Sequence, residues 1–193
     1  MILGILASSI SGSKAVTNSY SSIATTTVGS GGTTSATFDL TSVTGYTHLQ
    51  LRTIAKAGGT AGATTLCLRF NSDSGNNYNS HYLLGDGTIA ESGAYTAANA
   101  TTQSCLIGAI SGSSVTPFGV SIIDILDYGN SNKYKTVRSL SGTELNTTDR
   151  TSTVALKSSL WRNTNAITSI TVINYEGNGF AQYSQFALYG IKA

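Results

Sequence analysis

Charge is scarce in this chain. Asp, Glu, Lys and Arg make up 10% of its 193 residues, against about 25% in an average soluble protein. The net charge of +2 is too small to draw a polyanion, and a nucleic-acid surface would show a basic stripe. The nearest approach is Lys133, Lys135 and Arg138, which read as a solvated strand face, so no nucleic-acid partner is expected. Helix formers are also few, with Glu only at Glu91, Glu144 and Glu176 and a single Met. No stretch repeats apolar residues at i, i+3, i+4 and i+7 over three turns. No run approaches the roughly 18 apolar residues of a membrane helix, so no membrane partner is expected. The two cysteines, Cys67 and Cys105, are too few for a disulfide framework. They are expected to be two buried, unbridged thiols in a protein made in a reducing cytoplasm.

What is abundant points to strands and turns. Ser and Thr supply about 28% of the residues, and there are 21 Gly. Thr favours strands, while Gly, Asn and Ser favour turns. His48–Ala57 alternates with period two, placing Leu49, Leu51, Thr53 and Ala55 on one face, the mark of a half-buried strand. In Thr64–Phe70, Leu66, Leu68 and Phe70 share a face. Further strands are read at 19–28, 35–40, 78–85, 103–110, 118–126, 134–141, 151–161, 167–174 and 180–191. Residues 88–102 suit a long loop or an outward strand equally. Gly85-Asp-Gly87 reads as a hairpin turn, and Pro117, the only proline, stands at a strand entrance, where proline is tolerated. The expected fold is an all-β antiparallel sandwich, jelly-roll-like, with about ten strands. Its expected core comprises Leu49, Leu51, Leu66, Leu68, Phe70, Ile122, Leu156, Leu188 and Ile191.

Two segments divide the chain: an N-terminal arm over 1–16 and the sandwich over 17–193. The arm carries Met1, Ile2, Leu3, Ile5 and Leu6, followed by a polar Ser-Gly-Ser tract. It lacks the basic start of a signal peptide. An isolated greasy terminus needs a surface to lie on, and these five residues are expected to be assembly contacts.

Chemistry is harder to find. A glycosidase needs two carboxylates held across a cleft, but Asp124 and Asp127, three apart in a strand region, face opposite sides. Asp124 shares a face with Val120 and Ile122 and is expected inside, paired to Arg52, Arg69 or Arg138. A hydrolase needs a nucleophile, a base and an orienting group, and only His48 and His81 are available as histidine bases. Both read as polar residues on outward faces, His81 beside Tyr78 and Tyr82. The Asp73-Ser-Gly-Asn-Asn77 loop dilutely echoes a calcium loop but lacks its bidentate Glu, so a plain polar hairpin is preferred. No catalytic residue, metal site or cofactor is expected.

Several segments taken together resemble a family of small β-rich virion proteins of tailed bacteriophages, found also as C-terminal modules of tail fibres. They are Gly4-Ile-Leu-Ala-Ser-Ser9, Ser21-Ser-Ile-Ala-Thr25, Tyr46-Thr-His-Leu-Gln-Leu-Arg52, Leu68-Arg-Phe-Asn-Ser-Asp73, Ile122-Ile-Asp-Ile-Leu-Asp-Tyr128 and Asn132-Lys-Tyr-Lys-Thr136. Trp161-Arg-Asn-Thr-Asn-Ala-Ile-Thr-Ser-Ile170, Phe180-Ala-Gln-Tyr-Ser184 and Phe186-Ala-Leu-Tyr-Gly-Ile191 complete the set. The resemblance implies a non-enzymatic protein on the outer surface of a virion, made in the host cytoplasm. The expected role is capsid cement or decoration. The expected partners are further copies of the chain, as a homotrimer, and the major capsid protein or another virion protein. A tail-fibre or appendage module binding host-surface glycan is the alternative, and an unrelated carbohydrate-active enzyme the third reading.

Overall fold

The computed structural model of the protein describes residues 19–58, 63–95, 103–110, 117–144 and 152–192, with backbone alone at 63–64 and 103–110. The arm residues Met1, Ile2, Leu3, Ile5 and Leu6 therefore lie outside the described residues. Within them every element of regular structure is a strand. The strands are β1 (Tyr20–Thr27), β2 (Ser35–Asp39), β3 (His48–Ala55), β4 (Ala63–Phe70), β5 (Tyr78–Gly85) and β6 (Ala90–Tyr95). They continue as β7 (Gln103–Ile110), β8 (Gly119–Ile125), β9 (Lys135–Thr143), β10 (Thr153–Trp161), β11 (Ser169–Asn174) and β12 (Gln185–Ile191).

Two antiparallel sheets result. One has eight strands in the order β1-β12-β3-β8-β9-β10-β5-β6, and the other has four in the order β2-β11-β4-β7. Setting aside the β5–β6 and β9–β10 pairs leaves eight strands. Numbered along the chain, they run first-eighth-third-sixth in one sheet and second-seventh-fourth-fifth in the other. That is the double Greek key of a jelly roll. The two extra pairs join edge to edge, β10 against β5, and extend one sheet well past the other.

The core lies where the sheets overlap. Leu49, Leu51, Leu66, Leu68, Phe70 and Leu188 are buried there as expected, with Phe38, Ile123, Ile125, Ile170, Val172 and Phe186. Three expected core residues differ. Ile191 is half-buried, while Ile122 and Leu156 stand 46% and 48% exposed on the far side of the large sheet. In β8 apolar residues occupy both parities, Val120 and Ile122 against Ile123 and Ile125, so alternation alone cannot choose a face. The structure seats Ser121, Ile123 and Ile125 inward.

In β10 the usual rule is reversed. Ala155, Lys157, Ser159 and Trp161 face inward, while Val154 and Leu156 face out. Likewise β9 turns Lys135, Ser139, Ser141 and Thr143 inward and Leu140 outward. Lys135, read from sequence as part of a solvated stripe, is thus fully buried. Its Nζ donates to the carbonyls of Lys133 and Thr164 at 2.9 and 3.0 Å, and burial pushes its pKa down. The β7 backbone runs close against β8, β9 and β10. The small inward residues of these strands, Ser121, Ser139 and Ala155, leave room for that approach.

A buried aromatic group closes one end of the overlap. The Trp161 ring packs against Phe70 at 5.5 Å and stacks with Tyr78 at 6.5 Å. Trp161 donates its indole N–H to Asp73 at 2.8 Å. Tyr78 donates its hydroxyl to the Asp73 carbonyl and accepts the Phe70 N–H. Burial pushes the Tyr78 pKa up to about 12, so this phenol stays a donor throughout the physiological range.

Candidate functional site: the outward face of the large sheet

The large sheet presents an apolar face to solvent that runs from β3 and β8 onto the extension at β9, β10 and β5. Ladder register places Ile122 opposite Leu140, Leu140 opposite Leu156, and Leu156 opposite Leu83. Four aliphatic side chains thus form one row across β8, β9, β10 and β5. The neighbouring row runs Ile54, Val120, Gly142, Val154 and Gly85. The seven aliphatic side chains of the two rows are between 46% and 58% exposed. Scattered apolar residues on a surface need no explanation, but a contiguous group marks a contact site. The inversion in β9 and β10 sharpens that point. Leucine is placed in water here while lysine and serine are placed inside.

A polar row borders the stripe: Gln50, Asp124, Arg138, Ser158 and His81. Asp124 accepts from Arg138 at 2.8 Å and from the Gln50 side-chain amide at 2.8 Å, while Arg52 donates to Gln50. Arg138 is one of the three arginines expected to pair with Asp124, but the pair sits on the outward face, because Asp124 shares the parity of Ile122. It is a half-solvated surface pair of small energetic weight. It keeps the border nearly neutral and fixes the side chains beside the stripe. Beyond it a shallow cavity of about 220 Å³ is lined by Asn79, His81, Thr136, Ser158, Ser159 and Leu160. His81 projects outward here, on the opposite side of β5 from Tyr78 and Ser80.

The other candidates from sequence are occupied by structural work. His48 Nδ1 accepts the Asp127 backbone N–H at 2.9 Å, fixing the turn after β8. The Asp127 carboxylate lies 2.6 Å from the Lys133 ammonium. The hydrogen bond from Lys133 holds its pKa below the usual carboxylate range. Asp73 uses both carboxylate oxygens: one accepts the Gly75 N–H, and the other accepts from Asn77 and Trp161. Burial raises its pKa, but these donors outweigh burial and leave it lowered. With its lone pairs directed at N–H groups, the loop is a staple for Trp161. Among the described residues no group of three or more His, Cys, Asp or Glu is gathered as a metal site would need. Cys67 is buried on β4, and the ladder sets Ser104 opposite it and Cys105 opposite Leu66.

Sequence reasoning missed the stripe. Its signal was present in Val154-Ala-Leu-Lys157, where Leu156 and Lys157 take opposite faces, but the usual rule sends the leucine in. No protein-family model, curated protein or solved structure matches this chain.

Proposed function

We propose that the protein is a non-enzymatic structural subunit on the outer surface of a tailed-phage virion, cementing the capsid through contacts with its own copies and with a neighbouring virion protein. The observation that carries this reading is the inverted half-sheet. A domain that spends seven aliphatic side chains on its surface and buries lysines is built to be covered. Fully burying one such side chain gains roughly 1.5–3 kcal/mol. About half that remains for a half-exposed one, or about 5–10 kcal/mol for seven. Association costs on the order of 4–15 kcal/mol. The stripe therefore makes a weak pairwise contact that becomes firm when repeated over a lattice, where neighbours are held close. A surface with few charges suits dense packing of many subunits.

A second reading, an appendage module that binds host-surface glycan, is favoured by the hydroxyl- and amide-lined cavity beside His81. Quantitative mass spectrometry of purified particles separates the two. A copy number in the hundreds supports the capsid reading. Tens or fewer supports the appendage, and absence from the particle sinks both.

A further inference from the structure

We infer that the aliphatic stripe is the seat of residues Met1–Leu6 of a second copy of this chain, so that subunits are joined by exchanged arms. The inference rests on the reading of the chain as an assembly protein.

The first argument is size. From Ile54 on β3 to Leu83 on β5 the stripe crosses four strand spacings, about 19 Å. Six residues of extended chain cover about 20 Å. The second argument is chemistry. Met1–Leu6 holds five large apolar side chains and no charged one, and the stripe holds seven aliphatic side chains, with Arg52 at its β3 end opposite Ile122 and the other charges, Asp124 and Arg138, in the border row. Among the described residues nothing covers the stripe, and the arm's composition suits it.

The third argument is reach. The described chain enters at β1, the edge strand of the same sheet. Tyr20 lies in the row of Ile191 and His48, four residues along the strands from the row of Ile122. The middle of the stripe, between β9 and β10, is four to five strand spacings from β1. Combining the two displacements puts it about 25 Å from Tyr20. Leu6 precedes Tyr20 by 14 residues, a reach of up to about 46 Å. The linker is nearly twice as long as its own stripe requires, and the surplus suits a neighbour seated beyond the β1 edge. Exchange of a terminal segment between identical copies is a common route to closed oligomers.

The test uses the full-length chain. A benzophenone amino acid is placed at Leu156, with a control placed at Tyr175, which is 70% exposed. Copies labelled with heavy nitrogen are mixed with unlabelled copies, equilibrated and irradiated, and the linked tryptic peptides are identified by mass. The expected product joins the probe to Met1–Lys14. About half of these products should pair one heavy and one light chain, as random exchange between identical copies requires. The same linkage should be absent from the Tyr175 control. It should fall several-fold in a full-length Leu3→Asp, Leu6→Asp variant. Linkage to Met1–Lys14 without mixed-isotope pairs would place the arm on its own copy and overturn the exchange. Linkage to peptides carrying Leu140 or Leu83 of another copy would mean that two sheets face each other, and no linkage would mean the stripe is bare. Either result overturns the inference. The assay needs no virion, so failure of the capsid reading, seen as absence from particles, registers separately.

Discussion

At the scale of single residues, Asp73 is the clearest case of a polar group with one purpose. It accepts from the Trp161 indole, the Gly75 N–H and the Asn77 amide, tying the loop after β4 to the end of β10. Hydrogen bonds to a charged acceptor contribute about 1.5–3 kcal/mol each, and removing one partner leaves a donor stranded. Asp73→Ala should therefore lower the unfolding free energy by about 2–4 kcal/mol at pH 7 in urea. The pH dependence has a definite sign. The folded-state pKa lies below the unfolded value of about 3.9. The carboxylate's stabilisation is thus complete above that value and is lost as pH falls through the lower folded value. Asp39 and Asp127 are also lowered, Asp39 by its hydrogen bonds to Thr41 and Asp127 by Lys133, so the acid limb belongs to all three. Asp73→Asn should start less stable at pH 7 and lose less between pH 5 and pH 2. Equal losses in the variant and the parent would remove Asp73 from the acid response. Gly179 supplies a second test. Its φ is +66°, and an added Cβ would fall on the Thr33 carbonyl oxygen, where Phe180 pairs with Thr33. Gly179→Ala should cost about 1–3 kcal/mol, read as a shift of the urea midpoint.

At the scale of elements, the large sheet sorts its residues by parity, and neighbouring residues test that sorting. Ile123 is fully buried and Ile122 half-exposed on adjacent positions of β8. In the Leu3→Asp, Leu6→Asp background, diluted until the chain is monomeric, Ile123→Ala should cost about 2–5 kcal/mol, as large core truncations do, while Ile122→Ala should stay within about 0.5 kcal/mol, as surface changes do. Similar losses from both would mean that the outward face is covered within the folded monomer. This strand also marks where the sequence stopped being legible. Strands such as β3, with clean alternation of Leu49 and Leu51 against Arg52, declare their faces. So does β12, where Phe186 and Leu188 go in. In β8 both parities are apolar, and in β10 the inward face carries Lys157, buried with its Nζ 5.0 Å from the Tyr95 ring and 6.0 Å from the Tyr82 ring. Those tyrosines lie on β6 and β5, 62 and 75 residues earlier in the chain, and no local pattern shows that they will cover a lysine. The hairpin extension is hidden for the same reason. β5, β9 and β10 were readable as strands, whereas residues 88–102, which include β6, suited a loop or an outward strand; Asp86-Gly87 marks the turn, with the Asp86 carboxylate accepting from Thr88 and Ile89. That β5 would pair with β10 rather than with β4 is a long-range choice. The site was legible only in its charge pair, since Asp124 was matched to a set containing Arg138 while its face was read in reverse.

At the scale of the whole molecule, a jelly roll extended on one side has an overlapped half that is a finished core and an overhanging half that is not. The overlapped half holds nearly all the buried aromatics and leucines and carries the stability. The overhang carries most of the exposed aliphatic rows, which continue onto β8 and β3, and it ends on the β6 edge; β1 forms the other edge of the large sheet, and such edges left unpaired would invite uncontrolled association. The two halves should therefore separate in mutagenesis. We expect the unmodified chain to sediment as a homotrimer at micromolar concentration, with the outward rows inside the contact and the Met1–Leu6 side chains of neighbouring copies adding the burial that the rows alone do not supply. A double Leu140→Asp, Leu156→Asp variant places two carboxylates in the centre of that contact. Burying them there is costly, whereas leaving them in water in the monomer is not. The variant should sediment as a monomer with a melting temperature within a few degrees of a Leu140→Thr, Leu156→Thr control, because neither position contributes to the overlapped core. A loss of folding in the variant would mean that the outward face belongs to the monomer's own core. A trimer that survives both carboxylates would mean that subunits meet elsewhere, and a monomeric parent would remove self-association in solution altogether.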